Sequence, residues 1–215
     1  MIPDATNALG NRSHAVRAQR SEPHDSLDDF PTPAWATRAL CHYALDGLAI
    51  RNDVCWEPAC NRGGMVRPLR EFFREVIATD VHDYGCGYNV RDFLFPEPFS
   101  DGFANWIITN PPFRLAEQFA FRALDVARCG VALLVRAQFM ESVGRYERLF
   151  SKRPPAAVWQ FVERVPMVKG RLDRSASTAT AYAWVVWYHG ITDTRFRWIP
   201  PCRAQLDRDE DWSHA

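Results

Sequence analysis

The stretch WIITNPPFRLAEQFA, residues 106 to 120, changes character twice. Trp106, Ile107 and Ile108 form an apolar run of the kind found in a strand buried on both faces. Pro111 and Pro112 end that strand, because proline donates nothing to a sheet ladder. Beyond Leu115, the residues Phe119, Ala123 and Ala127 recur at four-residue spacing, a helical face expected to stop at Gly130. A strand, a stiff turn and a helix in this order are half of a parallel α/β unit.

The same alternation extends in both directions. TPAWATRALCHYAL places Trp35, Ala39 and Tyr43 on one helical face, with Thr32 as cap and Pro33 in the first turn. DVCWEP reads as a short strand ending at Pro58, MVRPLREFF as a helix with Pro68 in its first turns, and EVIATD as a strand closing on Asp80. VALLVRA is a buried strand and SVGRYERLF a short helix. After these, AVWQFV, TAYAWVVWY and TRFRWI are strand-like with no helix between them. The expectation is an α/β open sheet of seven strands, mostly parallel, finished by antiparallel strands. Residues 1–27 are polar and without apolar period, and read as a flexible arm. Residues 28–204 form the domain, and the acidic residues 205–215 read as a solvated tail.

The chain has 215 residues, 47% of them hydrophobic, enough for one sizeable core. Formal net charge is zero, so any contact with nucleic acid must come from local patches. Six scattered cysteines, with no C-x-x-C pair, argue against zinc and against a disulfide framework and favour a reducing cytoplasm. No apolar run approaches membrane-span length, and no secretion signal is visible. No metal and no membrane partner are expected.

WEPACNRGGM, residues 56 to 65, lies between a predicted strand and a predicted helix. In open parallel sheets, ligands bind beyond the carboxyl ends of the strands. Gly63 and Gly64 let the backbone approach a ligand closely, and Glu57 adds a carboxylate suited to a cationic group. Asp80 ends the next strand about twenty residues on, where an acidic side chain holds ribose hydroxyls. The first glycine of a dinucleotide fingerprint is missing, so a mononucleoside-containing ligand is favoured.

FPTP, EPAC, an acidic strand end, RDF and NPPF, in that order, resemble the amino-methyltransferases that use S-adenosylmethionine. With FPTP leading, the order resembles the gamma-type DNA adenine-N6 methyltransferases, over roughly residues 29 to 190. The resemblance implies a Rossmann-like class I methyltransferase with S-adenosyl-L-methionine as cofactor and DNA as partner. It places Thr32 and Pro33 against the methionine part of the cofactor. Glu57, Pro58, Ala59, Cys60, Asn61 and Gly63 form the cofactor loop, and Asp80 is the ribose ligand. Asp92 accepts from the cofactor adenine and Phe93 lies against it. Asn110, Pro111, Pro112 and Phe113 are the catalytic tetrapeptide. The family usually has glycine where this chain has Asn61, and asparagine is the non-glycine residue that best tolerates positive φ. Sequence-specific members carry a separate recognition domain, for which 215 residues leave no room.

An exocyclic amino group is a poor nucleophile because its lone pair is delocalised. Two aimed acceptors, the Asn110 side-chain oxygen and the Pro111 carbonyl, favour a pyramidal nitrogen and stabilise its growing positive charge. Phe113 offers a face to a base taken out of its duplex. Between the last strands, ERVPMVKGRLDRSAS, residues 163 to 177, carries Arg164, Lys169, Arg171 and Arg174, candidates for phosphate contacts. Loose sequence specificity is expected. Alternatives are methylation of guanine N2 in RNA or of a protein glutamine amide, and a non-catalytic nucleic-acid-binding subunit.

Overall fold

The computed structural model describes residues 27–95 and 103–212. The arm expected over residues 1–27, all but Leu27, and the last three residues of the tail lie outside the described residues. The strands are β1 (Val54–Glu57), β2 (Glu75–Asp80), β3 (Asn89–Val90), β4 (Trp106–Thr109), β5 (Gly130–Arg136), β6 (Ala157–Phe161), β7 (Tyr182–Tyr188) and β8 (Arg195–Ile199). They form one eight-stranded sheet in the order β3-β2-β1-β4-β5-β7-β6-β8. The expected count of seven was short by one because β3 has only two residues, too few to show a period. The expected antiparallel finish reduces to one strand. β7 runs antiparallel to β5 and to β6, whereas β8 runs parallel to β6.

The central strands are apolar on both faces because both faces are covered. All four residues of β1 and of β4 are buried. Trp106 and Ile108 point into a core with Trp35, Leu40, Leu69 and Trp184. Ile107, one residue out of phase, joins Trp56, Phe119, Leu133 and Val185 on the other side. Helix α1 (Ala34–Ala39) continues as a π-helical turn over Leu40–Ala44, and it buries Trp35 and Ala39 as its periodicity predicts. Helix α2 is a single turn (Val66–Leu69) containing Pro68, shorter than the predicted stretch. Helix α3 (Ala116–Val126) stops before Gly130, which instead opens β5. There a Cβ would lie 2.6 Å from the Trp106 ring and from the Trp187 carbonyl, so the glycine serves strand packing rather than a helix cap. Helix α4 (Val143–Arg145) runs on into a π-helical turn over Tyr146–Phe150, and α5 spans Arg203–Leu206.

Residues 205–212 are not a solvated tail. Arg38 on α1 is 2% exposed, and its guanidinium makes paired hydrogen bonds of 2.6 and 2.9 Å to Asp211. It also donates to Glu71 and to the Leu206 carbonyl. A buried guanidinium requires acceptors, and the acidic segment supplies them. No helix among the described residues is long and apolar enough to cross a membrane.

Candidate active site

The order of strands reverses between β1 and β4, both of which leave the sheet at the same edge. Such a switch point opens a crevice beyond the carboxyl ends of the strands. The loops after β1, β2 and β4 converge there and line a cavity of about 190 Å³. Of the residues expected at a cofactor site, Thr32, Pro58, Ala59, Cys60, Asn61, Asp80, Asp92 and Phe93 line it, together with Asn110 and Pro112. Phe93 is buried against Trp56 and Phe119, at ring distances of 5.0 Å each.

Three expected residues stand elsewhere. Pro33 precedes α1 and is not in the cavity wall. Gly63, with φ +84°, faces Tyr88, whose hydroxyl would lie 2.1 Å from a Cβ, and Gly64 lines the cavity in its place. A Cβ on Gly64 would meet the Thr32 carbonyl at 2.9 Å, so this glycine lets the loop close on the Thr32 segment. Glu57 is fully buried and turned inward, accepting from the Thr109 hydroxyl at 2.6 Å and from the Ala59 N–H at 3.0 Å. Both bonds fall on one oxygen, Oε1; the other, Oε2, is buried without a partner, and Glu57 is not in the cavity wall.

Burial pushes the Glu57 carboxyl up to about 8, although the bonds from Thr109 and Ala59 favour its charged form. The folded carboxyl therefore keeps its proton between about 4.5 and 8, a window in which the unfolded chain has lost it. Folding stability contributed by this proton is complete below the unfolded value and is lost as pH rises through the folded one. Glu57→Gln removes the titration. Urea denaturation of variant and wild type should diverge in the variant's favour as pH rises through that window, and a pH-independent difference would contradict the assignment.

Asn61 adopts φ +50°, the only non-glycine residue with positive φ among those described. Asparagine thus fills the turn that glycine fills in the family the sequence resembles. Its backbone N–H donates to Asp80 at 2.8 Å, and its side chain donates to Asp29 at 2.6 Å. The other Asp80 oxygen accepts from the His82 N–H at 3.0 Å. The Val81 N–H also bonds this carboxylate, and with about four acceptor sites on its two oxygens Asp80 retains capacity for a ligand hydroxyl. Burial raises the Asp80 pKa, against these backbone bonds.

Asn110 is fixed by its donors. Its amide nitrogen reaches the Phe30 carbonyl at 3.1 Å and the Thr32 hydroxyl at 3.0 Å. A carbonyl can only accept, so the NH₂ must face Phe30, and the amide oxygen takes the opposite side. That oxygen is buried and has no hydrogen-bond partner. Thr32 therefore orients Asn110 rather than capping α1, which has no side-chain cap. Met167, from the 163–177 loop, lies 3.7 Å from the same nitrogen, and Gly170 donates to the Asp29 carbonyl at 2.8 Å. The loop thus borders the Asn110 turn.

Phe113 follows that turn and lies in the wall of a second cavity of about 190 Å³. Its N–H donates to Asp28 at 2.7 Å. The Arg136 guanidinium sits 3.8 Å from its ring centroid, so an aromatic face expected to be open already carries a cation. Of the basic loop residues, Arg174 is bound to Asp207 and Asp209 at 3.0 and 2.6 Å, Arg171 pairs with Asp173, and Arg164 donates to the Ala179 carbonyl. Lys169 is exposed. Sequence reading missed Asp28, Asp29 and Arg136. The only signal for the acidic pair was its position directly before FPTP.

No protein-family model matches the sequence, and no curated protein matches it. Solved structures do. A proposed RNA methyltransferase from Pyrococcus horikoshii is 17% identical, with TM-score 0.57 over 78% of this chain and 90% of that one. A type I restriction-modification system methyltransferase subunit from Streptococcus thermophilus is 8% identical, with TM-score 0.60 over 86% of this chain and 50% of that one. A modification subunit of a proposed type I restriction enzyme from Vibrio vulnificus is 14% identical, with TM-score 0.57 over 83% and 49%. The chain spans about half the length of these two subunits. At such identities the likeness is one of architecture: the chain has the Rossmann-like fold of class I methyltransferases.

Proposed function

We propose that this protein transfers a methyl group from S-adenosylmethionine to the exocyclic amino group of adenine, N6, in DNA. The observation that carries the reading is the Asn110 amide oxygen, a buried acceptor without a partner, held by donors on its opposite side. An unpaired buried acceptor is unfavourable unless a ligand donor meets it.

The cavity residues fit the cofactor. Asp80 has lone pairs for ribose hydroxyls, Asp92 lies in the wall where an adenine amino group would be held, and Phe93 supplies an apolar surface. When bound, S-adenosylmethionine supplies an electrophilic methyl group. The Asn110 oxygen accepts one hydrogen of the acceptor amine. The Pro111 carbonyl, on which no hydrogen bond ends among the described residues, accepts the other. The two prolines keep that carbonyl outside the sheet ladder and rigid. Both acceptors act as the nitrogen becomes positive, which is when preorganised dipoles are most effective.

Arg164, Lys169 and Arg171 on the 163–177 loop are assigned to phosphate contacts, and Arg174 is left out because it is committed to Asp207 and Asp209. The loop holds no Asn or Gln to read adenine edges, so a very short or nearly absent sequence context is proposed.

Asp80→Ala tests the cofactor site. A charge-assisted hydrogen bond contributes about 1.5–3 kcal/mol, so calorimetric affinity for the cofactor should fall at least about tenfold. Unchanged affinity in a folded variant would remove the ribose assignment.

A further inference from the structure

The guanidinium of Arg136 lies 3.8 Å from the centroid of the Phe113 ring and 5.9 Å from that of Phe30. Phe30 and Tyr182 also pack on Phe113, tilted by 43° and 40°, and Arg136 donates to the Tyr182 hydroxyl. Among the described residues Arg136 has no carboxylate partner, and its Nε is buried without any partner. The cavity it lines also receives Arg145, whose contact with Glu117 is a loose 3.7 Å, and it opens beside the turn that carries Asn110. A planar cation stacked on an aromatic ring mimics the footprint of a planar base. A guanidinium without a carboxylate retains its full affinity for an anion.

We propose that Arg136 occupies the acceptor-base face of Phe113 in the free protein and, when a nucleotide enters, swings off the ring to bind that nucleotide's phosphate. The exchange explains how an aromatic face beside an unpaired acceptor stays covered between substrates. It also explains why the displaced cation leaves no buried unpaired charge. Arg136 thereby selects nucleotides over free bases or amides, because only a nucleotide carries the phosphate that receives it. This inference rests on the reading of the protein as a nucleic-acid amino-methyltransferase.

The test uses the full chain, labelled S-adenosylmethionine and mixed-sequence oligonucleotides of DNA and RNA. Arg136→Met keeps an apolar stem but removes the charge and the planar stack. Its KM for oligonucleotide should rise about tenfold or more, as for loss of one charge-assisted hydrogen bond, and this should be the larger part of the loss in kcat/KM. The slope of log KM against log salt should shrink by about one phosphate contact. Arg136→Lys should keep the salt slope while losing the stack. Calorimetric affinity for S-adenosylmethionine should be unchanged in both, which reports folding. Wild-type KM and salt slope in Arg136→Met, with an active wild-type protein, would overturn the role of Arg136 alone. No transfer to DNA or RNA by the wild-type protein would overturn the functional reading, and this inference with it.

Discussion

Asn110→Ala is expected to lower methyl transfer by about a hundredfold or more, the effect of removing one preorganised polar group from a reacting centre. Affinity for S-adenosylmethionine should change little, because the residues proposed to hold it, Asp80, Asp92 and the 58–64 loop, lie on other strands. The separation follows from the geometry. The amide nitrogen is consumed by Phe30 and Thr32, and the oxygen alone is left for the acceptor. Single-turnover rates with labelled cofactor, set beside calorimetric affinities, measure both halves. Turnover within a few-fold of wild type would dismiss the two-acceptor mechanism. Equal loss of turnover and of cofactor affinity would instead mean that Asn110 only anchors the Phe30–Thr32 segment.

Arg38→Ala should be among the most destabilising substitutions in the chain. It strips Asp211, 9% exposed, of its paired guanidinium bonds and leaves a buried carboxylate unmatched. Breaking a buried pair in this way costs about 3–5 kcal/mol. For a chain of this size that lowers Tm by roughly 6–20 °C. Arg38→Met combined with Asp211→Leu should recover much of the loss, since apolar replacement of a whole buried pair is often neutral. Thermal unfolding of the single and double variants decides the matter. A Tm for Arg38→Ala close to wild type would show that the C-terminal segment is not held on α1.

What could be read in advance was local chemistry. Proline ends β4 and glycine opens the β1 loop wherever they occur, and an acidic strand end after that loop needs no tertiary knowledge to be noticed. Those rules put Asp80 and the loop after β1 at one crevice and the resemblance added Asn110; Asp80, Asn110 and most of the 58–64 loop line one cavity. Pairings across long chain separations were not legible. Arg38 sits within the apolar row of α1, and nothing local shows that its charge is met by Asp211, 173 positions away. Glu57 looked like a ligand carboxylate because its strand end faces the crevice. It turns inward because the adjacent strand presents the Thr109 hydroxyl at 2.6 Å. The Phe113 face looked open because its covering residue, Arg136, ends a different strand.

The central claim is that the cavity at the β1/β4 switch point methylates adenine N6 in DNA. Incubating the protein with methyl-labelled S-adenosylmethionine and separate DNA, RNA and protein acceptors, then hydrolysing each and separating the products, tests it most directly. The account predicts label in N6-methyladenine from the DNA arm, absent with Asn110→Ala. Label in guanine N2 of RNA or in a glutamine amide, or no label in any arm with protein that binds S-adenosylmethionine, would contradict it.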